Sequence, residues 1–182
     1  MSISILVHTC CAPCATASVE KLLSEGEEPY LFFYNPNIHP FQEFKARLES
    51  FEAYLASSGL KGQADPIYGL DGFISGLEEI RKPSRCGYCY ALRLERAAWM
   101  AKELGILKFT TTLTISPYQD HEMLRKAGML AGEKYSVEFV YHDFRGEYRK
   151  SRQMAREAGF YMQKYCGCVF SEADRFDPAR GG

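Results

Sequence analysis

Apolar positions along the chain follow two rhythms: short unbroken runs, and longer stretches with one apolar residue every three or four. Ile3 to His8 is a β-branched apolar run of the kind a strand buried on both faces carries. Ala15 to Ser24 has helical spacing at Val19, Leu22 and Leu23, and Gly26 is placed to stop it. Pro29 to Tyr34 is a second apolar run, closed by the turn-forming Asn35-Pro36-Asn37. Phe44, Leu48, Phe51 and Leu55 predict an amphipathic helix over Phe41 to Ser58. Ile67-Tyr68 reads as a brief strand, Gly72 to Ile80 as a short helix, and Cys86 to Leu104 as a longer one with Gly105 at its C-cap. Phe109 to Thr114 is a strand by its β-branched content. Asp120 then caps a helix reaching about Ala131, Val137 to Tyr141 is a strand, and Glu147 to Ala158 is a helix stopped by Gly159.

Strands alternating with helices predict an α/β fold: one domain with a mostly parallel, Rossmann-like (HUP-like) sheet and helices on both faces. The expected domain is 1–176, with 177–182, rich in Gly and Pro, as a flexible tail. At 182 residues such a domain buries a large core without covalent staples. Ligands of these sheets sit beyond the carboxyl ends of the strands. His8-Thr9-Cys10-Cys11-Ala12-Pro13-Cys14 falls at such an end.

Composition changes the picture in two ways. No stretch approaches the apolar length of a membrane span, and the first residues have neither the basic nor the apolar region of a signal peptide, so a reduced, cytoplasmic setting is expected. The net charge of −1 conceals an asymmetry: residues 1–80 hold four Lys/Arg against eleven Asp/Glu, and residues 81–182 hold eighteen against twelve. The second half therefore suits an anionic partner, while the near-neutral total argues against nonspecific coating of nucleic acid. Arg145, Arg149, Lys150, Arg152, Arg156 and Lys164, interleaved with Tyr148, Tyr161 and Tyr165, offer cations for phosphates and rings for bases. Arg149, Lys150 and Arg152 are the RNA-binding candidates within that segment, the plain alternative being a solvated basic helix.

The seven cysteines fall into three tight groups: Cys10, Cys11 and Cys14; Cys86 and Cys89; Cys166 and Cys168. In a reducing compartment such spacing points to metal binding or redox work rather than a disulfide scaffold, and seven is an odd number. A structural zinc site would use four of them. A thioredoxin-like pair would use Cys86 and Cys89 and leave the opening motif unexplained. An iron–sulfur cluster also needs about four thiolates and tolerates adjacent cysteines that reach different irons.

Taken together, His8-Thr-Cys-Cys-Ala-Pro-Cys14, Arg85-Cys-Gly-Tyr-Cys-Tyr90 and Tyr165-Cys-Gly-Cys168 resemble the QueH family of cobalamin-independent epoxyqueuosine reductases. The likeness runs from Ile3 to Phe176 and includes Tyr34 to Ile38 and Thr114 to Tyr118. It implies an oxidoreductase of the last step of queuosine synthesis in tRNA, with a 4Fe–4S cluster next to a further mononuclear iron. Carried over by motif, Cys10, Cys11, Cys86 and Cys89 would ligate the cluster, and Cys166 and Cys168 would be a redox-active, catalytic pair. Cys14 would be a ligand of the extra iron or a bystander. The substrate would be a base in the tRNA anticodon loop, with electrons from an unidentified donor and no membrane involved. A zinc-containing α/β domain and a dithiol–disulfide oxidoreductase remain as alternatives. Acid candidates are His8, His39, Asp120, His121 and Asp143, each more readily read as a cap or turn residue. The chain has no glycine-rich nucleotide loop.

Overall fold

The apolar run at the N-terminus becomes the middle strand of a five-stranded sheet. The computed structural model describes residues 3–79 and 85–179. In chain order it contains β1 (Ile5–His8), α1 (Ala12–Ser24), β2 (Pro29–Phe33), α2 (Phe41–Ser58), β3 (Lys61–Ala64), α3 (Leu70–Glu79) and α4 (Arg85–Glu103). There follow β4 (Lys108–Thr111), α5 (His121–Tyr135), β5 (Glu138–Phe139), α6 (Tyr148–Glu157) and α7 (Val169–Phe176). The strand order is β3-β2-β1-β4-β5, and every pairing is parallel.

Side-chain alternation along β1 divides the core in two. Leu6, with Phe32 and Phe109, packs against α4 and α5 residues such as Leu94, Ala97 and Leu124. Ile5 and Val7, with Leu31 and Phe33, pack on the other face against Val19 and Leu22 of α1 and Phe44 and Phe51 of α2. Both faces are covered, so β1 needs no polar face, and its near-continuous apolar run follows. The expected single α/β domain with a parallel sheet is what forms.

Six elements differ from the sequence reading. The edge strand is Lys61–Ala64, not Ile67-Tyr68; Ile67 is 57% exposed. This strand carries no β-branched run because its backbone approach to β2 selects glycine: a Cβ on Gly62 would lie 2.5 Å from the Leu31 carbonyl oxygen. β4 stops at Thr111, and Thr112–Ile115 forms a 3₁₀ turn instead. Threonine hydroxyls cause the turn: Thr111 Oγ1 accepts from the Leu113 amide at 3.1 Å, and the Thr114 hydroxyl donates to the Thr111 carbonyl at 3.0 Å. α1 begins at Ala12, so Cys14 lies inside its first turn. α7 has no forecast counterpart; its N-cap is a thiol, Cys168 Sγ, which accepts from the Ser171 amide at 3.4 Å. β5 is confined to two residues, and α5 runs on to Tyr135. Ile80, the expected end of the short helix, and 180–182 of the expected tail lie outside the described residues. No described helix is long and apolar enough to cross a membrane.

Candidate metal and redox centre

The order of the strands reverses between β1 and β4, and a crevice opens there at their carboxyl ends. β1 runs out into Thr9–Cys14, and β4 into Thr112–Tyr118. Cys11, in extended backbone, is the N-cap of α1, and Pro13 fits the first helical turn, where an amide would be unpaired anyway. This start brings Cys14 back beside its neighbours: the sulfurs of Cys10, Cys11 and Cys14 all lie within 4.8 Å of one another. Among the described residues this is the group of three ligand side chains assembled tightly enough to hold one ion. Hydrogen bonds from Cys11 and Cys14 hold the Cys10 thiol well below its usual range, against the opposing effect of burial. Cys11 is pushed up by burial, and Cys14 by sharing its proton with Cys10. Within the trio, Cys10 is therefore the thiol that gives up its proton most readily.

The other four cysteines stand beside this trio rather than within it. Cys86 lies in the first turn of α4, and Cys89 opens the second. Cys86 packs against the core cluster that contains Cys10 and Cys11, and Cys89 is buried with Phe73 and Cys168. Burial pushes the Cys89 thiol up to about 12, so the metal-free side chain is protonated, and a metal would have to displace that proton. Cys166 is exposed, while Cys168 is buried. Between them Gly167 has φ +140°, which favours glycine, and a Cβ there would meet Ile38 at 3.0 Å and the Arg47 guanidinium at 3.3 Å. Two side-chain amides reach sulfurs. Gln119 Nε2 donates to Cys166 Sγ at 3.3 Å, and Gln163 Nε2 lies 3.1 Å from Cys11 Sγ and 3.4 Å from Cys14 Sγ.

Two arginines, each only 1% exposed, flank the sulfurs. Arg47 is neutralised by Glu43 at 2.7 Å. Arg93 has no carboxylate partner among the described residues. Its Nε donates to the Cys89 carbonyl at 3.2 Å, and its Nη2 is buried without a hydrogen-bond partner. Burial alone would lower the Arg93 pKa; attraction to Cys89, Cys166 and Cys10 in their thiolate forms outweighs it and raises it. An unpaired buried cation costs several kcal/mol, so this site calls for an anion, and the surrounding thiolates are the chemistry able to supply it. The Asn37 amide, also buried with neither polar atom partnered, lies beside Gly167. Orphaned donors and an uncompensated cation around clustered thiols fit a thiolate-held metal group.

The crevice widens into a cavity of about 870 Å³ whose lining includes Cys10, Cys14, Cys166, Tyr118, Arg152 and Lys164. Four of the five acid candidates have other duties. His8 is fully buried: Nε2 faces the Tyr34 carbonyl at 3.1 Å, Nδ1 faces the Thr111 hydroxyl at 2.9 Å, and burial lowers its pKa to about 4. A carbonyl only accepts, so Nε2 carries the proton and Nδ1 accepts from Thr111. His121 is committed likewise to the Ser116 carbonyl and the Tyr141 hydroxyl. Asp120 caps α5, accepting from the Met123 amide at 2.9 Å. Asp143 is held down at about 2 by hydrogen bonds from Arg145. His39 is buried against the rings of Tyr68 and Phe73. The cavity lining therefore offers thiols, not imidazoles, as proton donors.

The three RNA-binding candidates separate. Arg152 lines the cavity, whereas Lys150 pairs with Glu20 at 2.9 Å and Arg149 is absent from the lining. Sequence patterning missed Arg47, Arg93, Gln119 and Gln163. A lone arginine inside an amphipathic helix pattern was the one available signal, since Arg47 and Arg93 occupy buried positions of α2 and α4.

Comparison with known proteins gives consistent results. A family model described as "Epoxyqueuosine reductase QueH" matches residues 5–174. A protein of that name from Dehalococcoides mccartyi is 34% identical over 97% of this chain and 96% of its own length. One from Thermotoga maritima is also 34% identical, over 94% of this chain and 92% of its own. Among solved structures, a predicted subunit of tRNA methyltransferase from Methanocaldococcus jannaschii superimposes with a TM-score of 0.51 at 16% identity, covering 84% of this chain and 74% of that one. At that identity the likeness shows the fold alone.

Proposed function

The chain belongs to the QueH family of epoxyqueuosine reductases, and from that premise we propose that it removes the epoxide oxygen from epoxyqueuosine in tRNA. Taking that oxygen away as water and leaving an alkene consumes two electrons and two protons. Oxidation of two thiols to a disulfide releases the same number of each. Cys166 and Cys168 are the pair for this step: Cys166 faces the cavity, and Cys168 lies one glycine away. Closing the disulfide withdraws Cys168 Sγ from the cap of α7, so oxidation is coupled to loosening of that helix. An electron donor then returns the pair to dithiol.

Cys10, Cys11, Cys86 and Cys89 would hold a 4Fe–4S cluster next to an additional iron, with Cys14 either a ligand of that iron or a bystander. When bound, the cluster and iron would supply one-electron transfer and Lewis-acid polarisation. The chain's own part is to exclude water from the sulfurs, to set Arg93 against their negative charge, and to aim Gln119 and Gln163 at Cys166, Cys11 and Cys14. The observation that carries this reading is the buried, unpaired Arg93 among thiols drawn from three separate chain segments. A tRNA substrate is consistent with a cytoplasmic enzyme.

Anaerobic purification tests the metal. A brown protein with broad visible absorption and matching iron and acid-labile sulfide is expected. A colourless protein containing zinc would return the site to the structural-zinc alternative.

A further inference from the structure

Tyr118 stands at the mouth of the cavity and is 84% exposed, more than any other large apolar residue among the described ones. It is not on loose chain. Its amide donates to Ser116 Oγ at 3.3 Å, and the next residue, Gln119, accepts from the Tyr90 hydroxyl at 2.6 Å. Asp120 then starts α5. The ring meets Tyr148 nearly at right angles, with centroids 6.5 Å apart, and the Arg152 guanidinium lies over the Tyr148 ring at 5.8 Å. Lys164 and Arg175 also line the cavity, whose one carboxylate, Asp174, pairs with Arg85.

A ring on an anchored backbone, with an open face and cations around it, is how proteins bind unpaired nucleobases: the base stacks and the phosphate meets positive charge. A folded aliphatic surface offers no such face, and a duplex keeps its bases stacked on each other. The spacing sets which base is bound. Gln119, adjacent to Tyr118, touches Cys166 Sγ, so the ring lies one residue from the thiol-bearing wall. A nucleotide inserted toward the sulfurs leaves its strand neighbour at the mouth.

We propose that Tyr118, backed by Tyr148 and Arg152, is a stacking platform for the nucleobase next to the reacting one in a single-stranded RNA loop. This inference rests on the reading of the site as one that acts on tRNA. It assigns to the sequence Ser116-Pro117-Tyr118 a role in substrate selection separate from the chemistry at the cysteines.

The test is fluorescence anisotropy with iron-loaded protein, a labelled hairpin RNA with an unpaired loop, and a fully paired duplex of the same composition. Tyr118→Ala is expected to weaken hairpin binding about tenfold, the loss of one stacked base. Duplex binding should be unchanged, and Tyr118→Trp should restore the hairpin affinity. With substrate tRNA, Tyr118→Ala should raise KM and leave kcat and iron content as in the wild type. Equal hairpin binding by Tyr118→Ala would overturn the platform, and so would rescue by Tyr118→Leu as complete as by Tyr118→Trp, which would mark a generic apolar docking site for a protein. If the wild type converts the tRNA and Tyr118→Ala matches it in KM, the platform alone fails. If the iron-loaded wild type neither converts tRNA nor prefers hairpin to duplex, the reading beneath it fails as well.

Discussion

Arg47 Nη1 donates to the carbonyl oxygen of Cys166 at 2.9 Å, so a buried cation from α2 holds the loop that carries the C-terminal cysteine pair. Its Nη2 donates to the Tyr165 carbonyl at 2.9 Å, and Glu43 balances its charge. The Tyr165 hydroxyl in turn donates to the His39 carbonyl at 2.6 Å, and the His39 amide donates to the Gly167 carbonyl at 2.7 Å. The loop is thus fastened chiefly by its backbone carbonyls, and neither cysteine side chain is needed to hold it to α2.

Replacing Arg47 by Met strands Glu43 as an unpaired buried carboxylate and releases two carbonyls. We expect a loss of roughly 3–5 kcal/mol in denaturant unfolding. The double variant Arg47→Met/Glu43→Gln should recover much of it, because no charge is then left uncompensated. Equal stability of the single variant and the wild type would contradict the clamp.

Arg93 should act on the metal group rather than on the loop. Arg93→Gln removes a positive charge beside Cys10, Cys89 and Cys166, which makes addition of an electron harder. A redox titration followed by electron paramagnetic resonance should therefore show a lower midpoint potential for Arg93→Gln and a near-normal one for Arg93→Lys. A potential unmoved by loss of the charge would remove Arg93 from any electrostatic role.

The cysteine groups should separate in composition and in turnover. Cys10→Ala, Cys11→Ala, Cys86→Ala and Cys89→Ala should each lose most iron and sulfide. Cys166→Ala and Cys168→Ala should keep both, and the visible absorption, yet lose turnover. Iron analysis and single-turnover assays decide between the roles: full iron and sulfide in Cys86→Ala would sink the ligand assignment, and loss of iron in Cys168→Ala would make that residue a ligand.

Within the basic segment, the effect should concentrate on one residue. Changing Arg149, Lys150 and Arg152 together to Ala should weaken tRNA binding and flatten its salt dependence. Because Lys150 is engaged with Glu20 and Arg152 lines the cavity, Arg152→Ala alone should reproduce most of that loss. A single variant with wild-type affinity beside a weakened triple variant would shift the contact to Arg149 or Lys150.

Much of the scaffold was legible because its signals are local. The run ending at His8 is apolar on both faces, and the spacing of Phe44, Phe51 and Leu55 fixes α2 to the residue. The elements that escaped notice depend on partners distant in sequence. β3 is a strand because the backbone of β2 pairs with it, although Lys61-Gly62-Gln63-Ala64 has little strand propensity of its own. α7 starts on a thiol cap, Cys168, outside the usual Ser, Thr, Asp and Asn set. For the site, the cysteine groups announced the chemistry, but Arg93 could not be told from a solvated helix arginine until α4 was seen packed against the cysteines. Cys14 joined Cys10 and Cys11 only once α1 proved to begin three residues earlier than its apolar spacing suggested.

The central claim is most directly tested by mass spectrometry of nucleosides from tRNA carrying epoxyqueuosine, incubated anaerobically with iron-reconstituted protein and a chemical reductant. The account predicts that epoxyqueuosine is replaced by a species lighter by one oxygen atom and chromatographically identical to queuosine, and that Cys166→Ala abolishes the conversion while retaining its iron. Unchanged epoxyqueuosine in the presence of fully loaded, brown wild-type protein would contradict it.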